Sequence, residues 1–429
     1  MHLFPHTENN QSPFIHPIKI LENMKQVFIT VGLCLMATAA FGQKKAVSDA
    51  ERIAKDSKPD FNEARTLIKG AMENPETKAD AKTWYVAGLI EDTQFSTENT
   101  KQILGQKPDE PAMYEALSKI LPYFKEAYRL DQLPNEKGKV KPKYTKNIKN
   151  TLSGNLLYYL NGGAYNFDQR DFKKAHDFFE QYIEITELPF MKGEKVAEKD
   201  SNYMIVQFYA AIAAMQMNDP QLAVKDLNRA KGTNYRRFDV YQSLCYEYDQ
   251  VLKDTVSLEK TLEEGMKLFP DSTYFLNNMI NVYLSTKRNE QAMQLLNTAI
   301  AKSPNNPQLY YTLGSVYEIG LKDEAKAEEA YKKALELDPE NPAHIFSMGR
   351  LYFNQGVSLL DKANALSDAN QYKAEKVKVE ELLRKALPFF EKAHKLKPDE
   401  REYMIGLRGI YYNLNMNKEF DVITEEMSK

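Results

Sequence analysis

Two cysteines in 429 residues leave almost no scope for disulfide chemistry. Cys34 lies inside an apolar run near the N-terminus and Cys245 stands alone in the remainder, so stability must come from packing. Cys245 sits on a helix face that reads as buried, where a small apolar residue is wanted. Six histidines are equally sparse. His2, His6 and His16 fall in the first 23 residues, while His176, His344 and His394 are far apart, with no pair at the i, i+4 spacing of a zinc site. No metal site and no cofactor are therefore expected. The formal charge of −3 provides no field to attract nucleic acid. One basic stretch, from Lys137 to Lys149, contains Gly138 and Pro142 and reads as a solvated linker. Phosphate-binding GxxxxGK loops, GxSxG elbows and GxGxxG turns are all missing, which removes the commonest catalytic frameworks. The chain is expected not to be an enzyme.

Long apolar runs are absent with one exception, Val27 to Phe41, which is too short to span a bilayer comfortably. Met24 and Lys25 precede it, and Ala40 and Gly42 supply small residues at its end. This is the pattern of a secretory leader cleaved after Gly42. Residues 1–23 then lie upstream of the true start at Met24, 24–42 form the leader, and the mature chain is exported to the periplasm. Leu33 before Cys34 is not the small residue that a lipid-anchored leader needs.

What is present in abundance is helical periodicity. Pro270, Pro304 and Pro339 are 34 and 35 residues apart, each just past an apolar-periodic segment that must end there. Ahead of them stand Ala292, Leu296 and Ala299, then Ala327, Tyr331 and Ala334. Offsets of four and three place each trio on one helical face, with alanines where neighbouring helices approach closely. The helix before each trio carries a large residue, an apolar and small pair and an aromatic: Tyr241, Leu244, Cys245 and Tyr248; Leu276, Met279, Ile280 and Tyr283; Tyr310, Leu313, Gly314 and Tyr317. A fourth unit begins with Ile345, Met348, Gly349 and Tyr352.

This pattern resembles the tetratricopeptide repeat family, whose small and large residues alternate through a helix-turn-helix unit of 34 residues. Similarity to exported members of the family in Gram-negative bacteria implies an all-α fold, a right-handed α-α superhelix of eight or nine helix pairs. The array divides into a divergent part, 43–235, and a more regular part, 236–429. In the fourth unit the second-helix signature, Ala386, Phe390 and Ala393, arrives 25 residues late. The insertion near 354–380 is helical in composition and should lengthen both helices into a hairpin. Upstream, Phe172, Ala175, Phe179 and Tyr182 mark one second helix, Ala223, Leu227 and Ala230 another, and Phe61, Ala64, Ile68 and Ala71 a third. Trp84, Ala87 and Gly88 open a first helix whose partner is delayed to Phe124 and Ala127, leaving an expected loop at about 92–110. Gly162 and Gly163 read as small packing positions.

The resemblance further implies that first helices line an inner wall that holds a partner. Stepping from the matched positions, the wall residues are Gln242, Tyr246, Asn277, Asn281, Tyr311, Ser315, Phe346 and Arg350. Amides offer donors and acceptors, aromatics flat area, and arginine a fork for a carboxylate, which suits an extended protein or peptide partner. The carboxylate clamp of chaperone-binding relatives does not map, because Asn277, Thr312, Ala343 and Ser347 replace its residues. The expected function is a non-enzymatic scaffold binding a protein partner in the cell envelope, with no nucleic acid and no membrane span in the mature chain. The alternative is a carbohydrate-binding component associated with the outer membrane.

Overall fold

The computed structural model describes residues 42–428. The upstream extension and, apart from Gly42, the leader expected before it lie outside the described residues. Among the described residues there are helices and no strands. Their order is α1 (42–54), α2 (Phe61–Glu73), α3 (Ala81–Ile103), α4 (Glu110–Asp131), α5 (Thr145–Asp168), α6 (Phe172–Glu187), α7 (Ser201–Gln216), α8 (Pro220–Ala230) and α9 (Arg237–Tyr246). There follow α10 (Thr255–Leu268), α11 (Thr273–Ser285), α12 (Asn289–Lys302), α13 (Pro307–Ser315), α14 (Glu324–Leu337), α15 (Pro342–Asn364), α16 (Ala369–Leu396), α17 (Arg401–Asn413) and α18 (Asn417–Glu426). The chain forms two compact units, Met1–Arg237 and Phe238–Lys429.

Helix starts follow local chemistry. Asp171, Asp219, Asn306 and Asn341 each cap a helix by accepting a backbone N–H, and proline occupies the first turn after three of them. Helix ends do likewise, since Pro270, Pro304, Pro339 and Pro398 fall two residues beyond α10, α12, α14 and α16. Odd-numbered helices are the first and even-numbered the second of each pair, and packing runs from pair to pair: α4 on α5, α6 on α7, α12 on α13, α14 on α15, α16 on α17. Each unit is thus a run of stacked hairpins, the α-α superhelical repeat fold.

One trio is buried as a set, and in the other Ala299 is only half-buried. Ala327, Tyr331 and Ala334 are fully covered, as are Ala292 and Leu296. At Gly163 and Gly314 a Cβ would fall inside the van der Waals radius of the Phe179 and Tyr331 rings, so only glycine lets the ring lie against the opposing helix.

One expected loop is absent. Residues 92–103 continue α3, and the connection to α4 is only 104–109. The run is polar in sequence, but Thr93, Thr97 and Thr100 return their hydroxyls to carbonyls one turn back, and Phe95 and Glu98 are buried. Glu98 accepts from Lys101 and from the Asp109 backbone, which closes the turn. Phe124 and Ala127 lie on α4 and are buried. Residues 354–380 form the distal halves of α15 and α16, which pair along their length, with Ala363 and Val379 buried in the seam. No described helix is long and apolar enough to cross a membrane.

Candidate functional site

Tyr246 and Asn281, on consecutive first helices α9 and α11, are exposed and border a cavity of about 380 Å³ whose walls include Tyr274, Asn278, Asp249 and Gln250. Tyr246 is 53% exposed. Cys245 lies in its floor; burial pushes the thiol up to about 12, and the Asp249 charge adds to the shift. The thiol is therefore unreactive at neutral pH.

The remaining wall positions differ in availability. Gln242 is half-buried. Asn277 is committed to its neighbour, its Oδ1 accepting from Thr312 Oγ1 at 3.1 Å. Ser315 Oγ lies 3.2 Å from the Tyr331 hydroxyl, and the Tyr311 ring tilts against His344 at 5.3 Å. Arg350 is occupied, its Nη2 donating to Glu318 Oε2 at 3.0 Å, so its fork is not free for a partner carboxylate.

Phe346 corrects the sequence reading. It is 8% exposed, edge-on to Phe390 at 5.1 Å and tilted on Tyr403 at 4.6 Å, and belongs to the core. The following first helix, α17, brings Tyr403 over it, and a large ring gains more from that cover than from water.

Two acidic side chains escaped the sequence reading. The first helices α9 and α13 each end in a π-turn, Glu247–Val251 and Val316–Leu321, closed by Leu252 N–H to Glu247 O and Lys322 N–H to Tyr317 O. Each turn is left through a lysine in the left-handed region, Lys253 at φ 55° and Lys322 at φ 57°. The wider turn presents Asp249 in one repeat and Glu318 in another, both in the second compact unit. A signal for it does exist in the chain. From the first large residue to the closing proline there are 29 residues in the units of Tyr241 and Tyr310 but 28 in that of Leu276, and the extra residue is absorbed as a π-turn.

A second polar constellation lies in the first unit. His176 Nε2 is 2.8 Å from Asp226 Oδ2 and 4.0 Å from Glu180, joining α6 to α8. These three groups form a carboxylate and imidazole set able to hold a cation. The positive charge there is the guanidinium of Arg229, 3.1 Å from Asp226 Oδ1 and hydrogen-bonded to both Glu180 oxygens. Of the lysine-rich stretch, Lys149 pairs with Glu194, and the loop before it is anchored by Asp131, which accepts from the backbone of Lys143, Tyr144 and Thr145.

Two family models match the chain, a TPR repeat over residues 281–319 and a tetratricopeptide repeat over residues 307–341. Over 200 residues the chain is 27% identical to cellulose synthase operon protein C of Pseudomonas fluorescens, an alignment that covers 42% of this chain and 15% of that protein. Among solved structures it is similar to the MamA protein, at 15% identity over 44% of this chain and 88% of that one, with a TM-score of 0.31. A TPR repeats protein from Bacteroides fragilis matches at 19% identity over 60% and 98%, with a TM-score of 0.29. The C-terminal part of a TPR repeat-containing protein from Cytophaga hutchinsonii matches at 15% identity over 62% and 93%, with a TM-score of 0.37.

Proposed function

We propose, from the premise that this is a tetratricopeptide repeat protein, that it is an exported, non-enzymatic scaffold which holds an extended segment of a partner protein on the first helices of its second unit. The carrying observation is the pair Tyr246 and Asn281, large and polar side chains left exposed on consecutive first helices beside a cavity. Side chains with no packing duty in a stacked fold are free to serve a ligand, and an aromatic next to an amide suits a peptide backbone. The apolar run from Val27 to Phe41 supports export to the cell envelope with cleavage after Gly42.

Partner capture by the purified chain, compared with a Tyr246→Ala, Asn281→Ala double variant, tests the groove. The expected result is at least a tenfold loss of captured partner, and unchanged capture removes the assignment. N-terminal sequencing of exported material should begin at Gln43. A second reading, glycan binding, is favoured by the match to a protein named for a cellulose synthase operon. Titration with cello-oligosaccharides that leaves Tyr246 unperturbed rejects it at this cavity.

A further inference from the structure

We infer that the cavity beside Tyr246 is a subsite for an arginine side chain of the bound partner, with Asp249 as its counter-ion. The inference rests on the scaffold reading and specifies its ligand. Asp249 is the one charged side chain lining the cavity, and among the described residues no lysine or arginine is paired with it. Three uncharged groups around it each turn a donor inward. Asn278 Nδ2 donates to the Tyr274 carbonyl at 2.8 Å and Gln250 Nε2 to Asp249 Oδ2, while Ser285 Oγ donates to the Val282 carbonyl at 3.0 Å. Both amide orientations are forced, because a carbonyl or a carboxylate can only accept. Asp249 and the amide oxygens of Asn278 and Gln250 offer acceptors, and beside them stand the Tyr246 and Tyr274 rings. A ligand rich in donors, positively charged and planar satisfies this set, and guanidinium has five N–H groups and stacks on aromatic faces. Burial raises the Tyr274 hydroxyl pKa, and the Asp249 charge raises it further.

The chain contains its own template for the pair. Asp249 follows Tyr248 and Glu318 follows Tyr317, so the two carboxylates hold the same place on equivalent π-turns. On the next first helix, Arg350 follows Gly349 and Asn281 follows Ile280, again the same place in the repeat. At the second turn the carboxylate and arginine meet, Glu318 to Arg350 at 3.0 Å. At the first turn the arginine position is occupied by asparagine, which leaves the carboxylate and its cavity without the guanidinium that completes the other site.

Saturation-transfer NMR on the purified chain with Nα-acetyl-arginine methylamide, against its norleucine and citrulline counterparts, is the direct test. The arginine probe should respond at least fivefold more strongly than either control and weaken as salt rises. Asp249→Asn should remove the difference, and Asn281→Arg, which rebuilds the internal pair, should block the probe while leaving the circular dichroism and melting curve intact. Equal responses to arginine and norleucine, or an arginine response untouched by both substitutions, overturn the subsite. Loss of partner capture in the Tyr246→Ala, Asn281→Ala variant alongside such a result would leave the scaffold reading standing without it. Retained capture alongside a specific arginine response would show an arginine-binding cavity that the partner does not use, which removes both the groove and the subsite's role in it.

Discussion

The two units solve the same stacking problem with different means. In the second unit the helices α10 to α14 are 9 to 14 residues long and each junction is closed by a small apolar cluster, such as Ala327, Tyr331, Met348 and Leu351. In the first, α3, α4 and α5 run to 23, 22 and 24 residues, and junctions carry buried or half-buried polar ties as well: Arg65 to Glu91, Asp131 to the start of α5, and His176 to Asp226. Regular repeats are held mainly by pattern, with a few ties such as Glu318 to Arg350 added. Lengthened ones drift out of the 34-residue register and need specific partners to fix which residues face which.

That contrast can be broken or sharpened by substitution. The largest effect is expected at Asp226, which is fully buried. Asp226→Ala leaves Arg229 and His176 without their shared carboxylate and should cost about 3–5 kcal/mol, read as a shift in the urea midpoint. A change too small to measure would mean that the first unit does not depend on this polar tie. Next come Gly163→Ala and Gly314→Ala, one in each unit. In an open helix such a change gains stability, but against the Phe179 and Tyr331 rings each should lose about 1–3 kcal/mol. Similar losses would show that ring-on-glycine packing is common to both units, whereas a loss in only one would confine it.

A smaller effect is expected at His344, which is 1% exposed. Burial lowers its pKa, and the opposing pull of Asp338 is weaker. Below the ordinary value of 6.5 the unfolded chain then binds more protons than the folded one. Its contribution to stability is complete above about pH 6.5 and drains away as pH falls. His344→Phe should flatten that part of the stability profile between pH 7.5 and 5, and an unchanged slope would assign the acid sensitivity elsewhere. The smallest effect belongs to Glu259→Ala in the second unit. It removes the tie to Arg288, a pair still reached by solvent at 25–32% exposure, and should shift the urea midpoint by less than any of the changes above.

The residues legible in advance were those whose role depends on neighbours three and four positions away. Ala292, Leu296 and the Tyr331 trio could be read as one face, and their burial follows from that face alone. Tyr246 and Asn281 were legible as exposed first-helix positions for the same reason. Glu98 and Phe95 were not, because a polar run can be loop or helix until a partner covers one side of it. Asp249 and Glu318 were hidden by a single extra residue whose structural outcome, a π-turn, changes direction without changing composition.

By itself the sequence determined the period, the assignment of first and second helices and the ends marked by proline, since capping, proline and i, i+4 packing act within one turn or two. Tertiary structure alone decided that Phe346 is core, that Arg350 is spent on Glu318 and that Asp249 is left without a cation. Those outcomes turn on side chains more than thirty residues apart in the chain, or on one that is missing there. Whether a charge is satisfied is a property of the space around it, and local pattern carries no record of that space.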